Sequence, residues 1–475
     1  MELRQLITSI RNRRLKDSDD ALQAIAESEK YLQQAYEGRY LFELIQNVRD
    51  ANKEQETLGA VFIELTNEAL FIANSGAPFA EKGIRSITTI GRSPKNSQDF
   101  IGFKGIGFKS VLEVTNAPYI VTENGTLYFD RTQTLPLLKG RELGIEDIPI
   151  FFIPHYSPVR LSTEEQKAGI VTKIALPLKP GLELPKIIDR FQEISVHQLL
   201  LLGYLQTIEF KAPGVHTRFH IQHAPDSRQT VVTVNDAVHH FRQFTPSAPL
   251  PIPSTVIASL DEKERKMYEK SPFVELTIVF DTDEERQLRK ITDGKLYLFY
   301  PLKILSGFPF LIHSYFLVDP ARTTLRDSPL NIYLLEKIAD YLSGDWLQQV
   351  KKSDPGHFLD VLAFTRNKDV PLLNHLYDRL KANLKSKRFL YDQHSQKFYK
   401  LGEIVIADGF DLGLFADHLF QGKRLVYIED TATRIWLTHE MEADYLTYDK
   451  IAEHIEAECE RHRETKNIAF FQHLY

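Results

Sequence analysis

The stretch Tyr40-Leu-Phe-Glu-Leu-Ile-Gln-Asn-Val-Arg-Asp-Ala-Asn52 combines a helical spacing of polar groups with an apolar face. Glu43 and Asn47 are four residues apart and Asp50 follows three residues later, so on a helix the three side chains lie along one stripe. A carboxylate can polarise a water, and a neighbouring amide oxygen can complete the shell of a hard cation that keeps most of its waters. The stretch therefore predicts a packed helix with the groups that phosphoanhydride hydrolysis requires.

A glycine-rich segment, Gly102-Phe-Lys-Gly-Ile-Gly-Phe-Lys-Ser110, comes about fifty residues later. Its glycines allow the backbone to approach an anion, and the following run 108–114 predicts a helix whose N-terminus attracts phosphate. Lys104 and Lys109 add mobile positive charges. The segment is neither a Walker A sequence nor a G-x-G-x-x-G after a first strand, and glycine-rich segments between strands and helices are mostly turns.

The segments around this loop follow a definite order. Residues 61–66 and 69–73 are β-rich runs separated by Asn67-Glu68, which predicts a hairpin. Asn74-Ser-Gly-Ala-Pro-Phe79 follows at once, and Ile90-Gly-Arg-Ser-Pro-Lys95 precedes the glycine loop. Gly169-Ile-Val-Thr-Lys-Ile-Ala-Leu176 predicts a strand with Thr172 in its interior.

In this order, the segments resemble the GHKL (Bergerat-fold) ATPase superfamily of gyrase B, heat-shock chaperones, MutL-type repair proteins and histidine kinases. Within that superfamily they are most similar to the sacsin and NO VEIN type of ATPase domain, in which Lys-Gly-Ile-Gly-Phe-Lys-Ser-Val recurs almost as it stands at 104–111. The resemblance covers residues 30–176. It implies ATP and Mg²⁺ as cofactors.

The resemblance also implies a role for individual residues. Glu43 would orient the attacking water, and Asn47 would bind Mg²⁺ and the phosphates. Thr172 would reach the adenine through water, and residues 86–101 would form a lid over ATP. The implied nucleotide-binding residues are Asn47, Asp50, Ala51, Asn74, Gly76, Phe79, Ser93, Lys95, Gly102, Phe103, Lys104, Gly105, Ile106, Gly107, Phe108, Lys109 and Thr172.

Asn74 departs from the superfamily pattern, which places an adenine-reading Asp at this position. A carboxylate accepts the hydrogen bond of the adenine amino group with charge assistance, whereas an amide oxygen accepts it without that charge. We therefore expect modest affinity for ATP. Gly76, two residues later, would let the backbone approach the base.

The fold class expected is α+β, in three parts. The resemblance implies a Bergerat-fold α/β sandwich for residues 1–178, with a mixed, mostly antiparallel sheet and helices on one face. Residues 179–352 predict a β-rich, transducer-like α+β domain, and residues 353–475 a mostly helical region with one hairpin. The resemblance also implies that a catalytic cation of the middle domain reaches the γ-phosphate, with Arg322 as the first candidate and Lys303 as the second. The alternative is that Arg322 pairs with Asp319 or Asp327 in a surface turn.

Composition limits the classes of function. The net charge of -6 gives no global attraction to nucleic acid, and Cys459 is the single cysteine, which excludes an intrachain disulfide and a cysteine-based zinc site. The first residues lack the apolar core of a signal peptide, and no run is long enough to span a membrane, so a cytoplasmic protein without membrane contact is expected. The basic stretch 379–400 leaves nucleic acid open as a partner, because aromatic residues among cations can stack bases. A homodimer or a partner protein also stays open.

Residues Asp392-Gln-His-Ser-Gln-Lys397 are similar to the start of a MutL endonuclease motif, but a hairpin turn between two β-rich runs is the better interpretation. Two hypotheses for function remain. In the first, ATP binding and hydrolysis drive a conformational switch whose output is chaperone-like or serves DNA maintenance or antiviral defence. In the second, the chain is a nucleotide sensor that scarcely hydrolyses ATP and regulates a partner.

Overall fold

The computed structural model describes residues 2–35, 38–89, 107–224, 228–319, 323–392, 395–407, 419–420, 422–465 and 468. The chain forms two compact units, residues 1–239 and 240–475. The predicted site residues Ser93, Lys95, Arg322 and those from 102 to 106 lie outside the described residues.

The first unit is built on a mixed sheet. Its strands are β1 Gly59–Leu65, β2 Ala69–Ser75, β3 Tyr119–Thr122, β4 Gly125–Tyr128, β5 His155–Ser157, β6 Ile170–Pro177, β7 Leu205–Ala212, β8 Val215–Ala224 and β9 Gln229–Val234. They lie in the order β9-β8-β7-β1-β2-β6-β3-β4-β5. The β1–β7 pair is parallel and the other pairs are antiparallel. The predicted β1–β2 hairpin and the predicted strand around Thr172 are confirmed.

The helices of this unit are α1 Leu3–Arg14, α2 Asp19–Ala35, α3 Tyr40–Glu54, α4 Glu81–Ile87, α5 Arg131–Thr134, α6 Thr163–Lys167, α7 Leu184–Gln192 and α8 Val196–Leu199. Helix α3 is the predicted helix of the quoted stretch. It buries Leu41, Leu44, Ile45 and Val48, each of which contributes about 1.5–3 kcal/mol relative to an exposed side chain. This apolar face holds the polar residues of α3 at fixed positions.

The predicted boundaries at residues 178 and 352 stay predictions. Strands β7, β8 and β9, which the sequence analysis assigned to the middle domain, belong to the sheet of the first unit because β7 pairs with β1 from Gly59 to Glu64. The parallel pairing joins residues about 145 positions apart in the chain, a distance over which a local pattern carries no information.

The first part of the second unit is rich in strands. Its first strands are β10 Ala237–Phe244, β11 Leu250–Pro251, β12 Phe273–Val274, β13 Thr277–Thr282, β14 Leu288–Arg289, β15 Lys295–Leu298, β16 Tyr300–Leu305 and β17 Leu311–His313. Strands β16, β15, β17, β13 and β10 are neighbours in that order, with β14 beside β13. Helices α9 Ser254–Ala258 and α10 Glu262–Lys270 lie between β11 and β12 in the chain.

The remainder of the second unit mixes helices with short strands. The helices are α11 Pro329–Tyr341, α12 Leu347–Ser353, α13 Phe358–Leu362, α14 Asn374–Lys385, α15 Thr431–Ile435 and α16 Tyr448–Glu464, and the strands are β18 Leu390–Asp392, β19 Lys397–Tyr399, β20 Ile404–Ala407, β21 Leu419–Phe420, β22 Lys423–Tyr427 and β23 Tyr445–Leu446. Strands β18 and β19 form the predicted hairpin. The sequence analysis did not expect the further sheet β21-β22-β20-β23, whose short strands lack a clear alternating pattern.

Candidate functional site

Helix α3 buries the polar stripe instead of exposing it. Glu43 is 8% exposed and Asp50 is fully buried, while Asn47 and Ala51 are half-buried. Asp50 forms an ion pair with buried Arg49, with 3.2 Å between Oδ1 and Nη1. A carboxylate taken out of water is costly unless it is paired or hydrogen-bonded, so burial distinguishes this stripe from an ordinary solvated helix face.

Asn74 lies near the end of β2, directly opposite Thr172 of β6. Its side-chain Nδ2 donates to the carbonyl of Ala77 at 3.2 Å and to that of Ser75 at 3.4 Å. Both partners are carbonyl oxygens, which fixes the orientation of the amide. The amide nitrogen therefore binds the turn of the protein itself, and Oδ1 is the atom with the chemistry to accept from an external amino group.

Thr172 holds the same turn from the other strand. Its Oγ1 accepts a hydrogen bond of 2.9 Å from the backbone N–H of Phe79, and its side chain is buried. A hydroxyl that accepts one bond still has its own proton to donate. Asn74 and Thr172 are thus opposite each other across β2 and β6, with an amide oxygen that can accept and a hydroxyl that can donate a further hydrogen bond.

Gly76 completes this turn and requires the absence of a side chain. Its φ is +100°, and a Cβ built on it would stand 2.3 Å from Oδ1 of Asn52. Asn52 is fully buried and accepts from the backbone N–H of Ala77 at 2.9 Å. The sequence analysis missed Asn52, because nine residues along a helix place it about 180° around the axis from Glu43 and outside the polar stripe.

The end of the glycine-rich segment and the residues after it form a 3₁₀ helix, Gly107–Glu113, so the helix predicted over 108–114 is present in the 3₁₀ form. Over only seven residues, the spacing of apolar side chains does not distinguish a 3₁₀ helix from an α-helix. Phe108 packs edge-on against Phe151, with ring centroids 5.6 Å apart.

Lys109 is buried, 3% exposed, and not the mobile surface charge expected from the sequence. Burial lowers its pKa, and the charge of nearby Glu29 raises it. Glu29 is itself buried and accepts hydrogen bonds from the backbone N–H groups of Ile150 and Phe151 at 2.6 and 2.9 Å. Burial raises the pKa of Glu29 above its usual value, and the charge of Lys109 opposes part of that rise. The sequence analysis missed Glu29. The role of Lys109 in phosphate binding stays a prediction.

The second unit contains the candidate cations. Lys303 is an exposed residue of β16. Arg322 lies outside the described residues, but Asp319, one of its alternative partners, accepts from the backbone N–H groups of Thr323 and Thr324 at 2.6 and 2.7 Å. Neither assignment is tested by this geometry.

Asp392 and Lys397, the first and last residues of the motif-like stretch, are opposite each other in the antiparallel β18–β19 pair, as the preferred interpretation predicts. Asp392 is buried and pairs with Arg424 at 3.0 Å. In the basic stretch 379–400, acidic partners neutralise part of the charge: Arg379 pairs with Asp340, Lys381 and Lys385 with Glu442, and Arg388 with Glu403. These pairs favour a solvated surface stretch over a nucleic-acid contact.

A cleft of about 320 Å³ lies along Glu64–Asn67 and Lys211–Pro213. It is at the end of β1 and β2 away from Asn74, since Asn74 pairs with Val61 near the start of β1. Among the described residues, no helix is long and apolar enough to cross a membrane.

Comparison with known proteins gives two similarities. Residues 28–139 match the family described as Sacsin domain, a range that includes α3, the β1–β2 hairpin and the glycine loop. Protein NO VEIN of Arabidopsis thaliana is 24% identical over 381 residues, which cover 73% of this chain and 12% of that protein. The chain thus spans about an eighth of the length of this relative. Its similarity to the Sacsin domain lies in residues 28–139, the region that carries α3 and the Asn74–Phe79 turn.

Proposed function

We propose that the chain binds ATP and hydrolyses it slowly with Mg²⁺, in a site of the GHKL (Bergerat-fold) type formed by α3, the Asn74–Phe79 turn, β6 and the glycine-rich loop. The observation that carries the proposal is the turn at the end of β2. There Asn74 donates to the carbonyl of Ala77, Thr172 of the neighbouring strand accepts from the N–H of Phe79, and Gly76 has the left-handed backbone that the turn requires. The sacsin-domain match over residues 28–139 supports the same assignment.

In this proposal each residue of the chain performs one task. Asn74 Oδ1 accepts from the adenine amino group, and the Thr172 hydroxyl donates to a water or a ring nitrogen of the base. Asn47 would hold Mg²⁺ through its amide oxygen, and the ion would supply charge neutralisation on the phosphates. Glu43 accepts the proton of the attacking water, at a position where its exclusion from bulk solvent strengthens the interaction.

The proposed biological role is a nucleotide-driven conformational switch, chaperone-like or acting in DNA maintenance or antiviral defence in the cytoplasm. Arg322 or Lys303 would complete the site by contacting the γ-phosphate. The alternative is a nucleotide sensor that regulates a partner with little hydrolysis. The uncharged amide of Asn74, which lacks the charge assistance of an Asp, favours this second function.

The experiment measures binding of ATP and ADP together with steady-state ATP hydrolysis, in the parent protein and in Glu43→Ala and Asn47→Ala. Glu43→Ala is expected to bind ATP and to lose hydrolysis by a factor of about 10²–10⁴, the usual contribution of a general base. Asn47→Ala is expected to weaken the Mg²⁺-dependent part of binding. Binding without measurable turnover in the parent supports the sensor, and the absence of nucleotide binding contradicts both functions.

Arg322→Ala and Lys303→Ala test the contribution of the second unit. If one of them contacts the γ-phosphate, its removal depresses hydrolysis and leaves ADP affinity unchanged, because ADP has no γ-phosphate. Lys211→Ala, in the cleft at the other end of β1 and β2, provides a surface-lysine control. A parallel loss of ATP and ADP binding would indicate a folding defect.

A further inference from the structure

Asn52 joins two turns that belong to different parts of the first unit. Its side-chain Oδ1 accepts from the backbone N–H of Ala77 at 2.9 Å, and its Nδ2 donates to the backbone carbonyl of Tyr204 at 3.2 Å. One partner is a donor and the other an acceptor, so the orientation of the amide is determined. Because Asn52 is fully buried, water cannot replace either bond.

The first of these turns carries the proposed base-binding atoms. Ala77 supplies the carbonyl that accepts from Asn74 and the N–H that donates to Asn52. Gly76 leaves the space that Asn52 occupies, since a Cβ there would stand 2.3 Å from Oδ1. The position of Asn74 Oδ1 therefore depends on Ala77, and the position of Ala77 depends on Asn52.

The second turn leads into β7. Gly203 and Tyr204 both have left-handed backbone angles, with φ of +55° and +51°, a conformation that a non-glycine residue adopts at a cost. The Tyr204 carbonyl accepts from Asn52 and also from the N–H of Gly59 at 3.1 Å. Arg49, also on α3, donates to the carbonyl of Leu202 at 2.5 Å and lies over the Tyr204 ring at 5.6 Å.

The same helix thus holds the proposed base-binding turn with Asn52 and the entry to β7 with Asn52 and Arg49. Arg49 is in turn paired with Asp50, one of the implied nucleotide-binding residues. A shift of the 76–77 turn or of Asp50 on nucleotide binding would therefore also displace the 202–204 turn. Residues 202–204 directly precede β7, the first of the three strands β7, β8 and β9 of the sheet.

We infer that Asn52 is a positioning residue for the adenine base, which fixes the Gly76–Ala77 turn and couples it to the Gly203–Tyr204 turn ahead of β7. The inference rests on the proposed function for its ligand, an adenine nucleotide. It adds a residue outside the polar stripe and a route by which the nucleotide state reaches β7.

Two substitutions test the two hydrogen bonds of Asn52 separately, one to Ala77 and one to Tyr204. Asn52→Ala removes both. Asn52→Asp keeps an oxygen to accept from Ala77 N–H but places a second oxygen against the Tyr204 carbonyl, so it breaks only the β7 side. Asn67→Ala, in the exposed turn between β1 and β2, is the matched control.

The experiment uses the full chain and combines affinities for ATP, ADP and adenosine with amide hydrogen exchange of Ala77 and Gly59 in the absence of nucleotide. Asn52→Ala is expected to weaken all three ligands by about tenfold, the loss of one hydrogen bond's positioning, and to accelerate exchange at both amides. Asn52→Asp is expected to keep the ligand affinities and the protection of Ala77 while it accelerates exchange at Gly59. A general loss of amide protection from exchange across the sheet in Asn52→Ala would indicate unfolding. In that case the inference is tested with Asn52→Asp alone.

Parent-like affinities in Asn52→Ala, with Ala77 still protected, would overturn the inference and leave the proposed function standing. If the parent itself binds none of the three ligands, the proposed function fails and the base-positioning role fails with it. Loss of ATP binding with adenosine binding unchanged would also overturn the inference, because it would place the effect at the phosphates.

Discussion

At the residue scale, the hydrogen bonds of the turn around Asn74 explain why an amide stands at this position. The amide nitrogen of Asn74 donates to the carbonyls of Ala77 and Ser75, and an Asp in the same place would set a carboxylate oxygen 3.2–3.4 Å from two carbonyl oxygens. Asn74 is 7% exposed, so water would relieve little of this repulsion. The turn therefore suits an amide, and a carboxylate at position 74 does not fit it.

We predict that Asn74→Asp does not tighten ATP binding and lowers the free energy of unfolding by about 1–3 kcal/mol, the cost of an unsatisfied buried group. Denaturant unfolding and ATP titration of the same preparation measure both quantities. ATP binding ten times tighter with unchanged stability would show that the turn accommodates a carboxylate.

Gly76→Ala is the second prediction at this scale. The variant meets two costs, a left-handed backbone at φ +100° and a Cβ 2.3 Å from Asn52. Gly181→Ala is the matched control, because its φ is +80° and no atom lies within 4 Å of the added Cβ. We expect the control to lose about 1–2 kcal/mol of unfolding free energy and Gly76→Ala to lose more, together with nucleotide affinity. Equal losses would show that Asn52 moves aside without cost.

The strands that carry Asn74 and Thr172 could be predicted from the sequence because each lies in a segment with a recognisable order, while the role of these residues in nucleotide binding stays a prediction. Asn52 and Glu29 could not be predicted, since both act through backbone groups of distant segments, at Tyr204 and at Ile150–Phe151. A hydrogen bond between a side chain and a backbone group far away in the chain does not change the local spacing of polar and apolar residues.

At the scale of elements, the strands β3, β4 and β5 carry a ladder of rings. Tyr119, Tyr128 and His155 are opposite one another across the strands, with centroid distances of 5.3 and 5.2 Å. Burial, with a smaller contribution from Arg11, lowers the pKa of His155 from 6.5 to about 4. His155 is therefore neutral in the native state at neutral pH, and its Nε2 shares a 2.8 Å hydrogen bond with Thr134.

The sign of the pH effect follows from this. Between pH 6.5 and about 4 the unfolded chain binds a proton at His155 and the native state does not, so this residue lowers stability as the pH falls through that range. His155→Gln keeps a polar partner for Thr134 but does not titrate. We expect the parent to lose more unfolding free energy than His155→Gln between pH 7 and pH 5, as measured by urea denaturation. Identical losses would show that His155 titrates normally in the native state.

The elements that the sequence predicts best are those with a complete local pattern. Helix α3 extends only two residues beyond the quoted stretch, at Glu54, and β1 and β2 pair as the hairpin signal indicates. The 3₁₀ form of Gly107–Glu113 and the burial of Lys109 depend on how this segment packs against α2 and α3. Such packing is decided by tertiary contacts, which residue spacing alone does not encode.

At the scale of the whole molecule, the predicted boundary after residue 178 and the compact unit that ends at residue 239 imply different fragments. In the unit, β7 covers the edge of β1 from Gly59 to Glu64. Fragment 1–177 would expose that edge, which is a template for association with other chains. It would also remove the carbonyls of Leu202 and Tyr204, which accept from Arg49 and Asn52.

We therefore predict that fragment 1–239 folds cooperatively and binds adenine nucleotide with the affinity of the full chain, whereas fragment 1–177 is destabilised and prone to aggregate. We expect a large difference in stability between the fragments because of Arg49. In fragment 1–177 the buried Arg49–Asp50 ion pair loses the hydrogen bond to the Leu202 carbonyl, and a poorly compensated buried charge costs several kcal/mol. Thermal unfolding, light scattering and ATP titration of the two fragments supply the measurement. A monomeric 1–177 fragment that binds nucleotide as tightly as 1–239 would show that β7 is dispensable for the site and would separate the base-binding turn from the 202–204 turn. Slower hydrolysis by 1–239 than by the full chain, with binding preserved, would instead indicate that a residue of the second unit takes part in turnover.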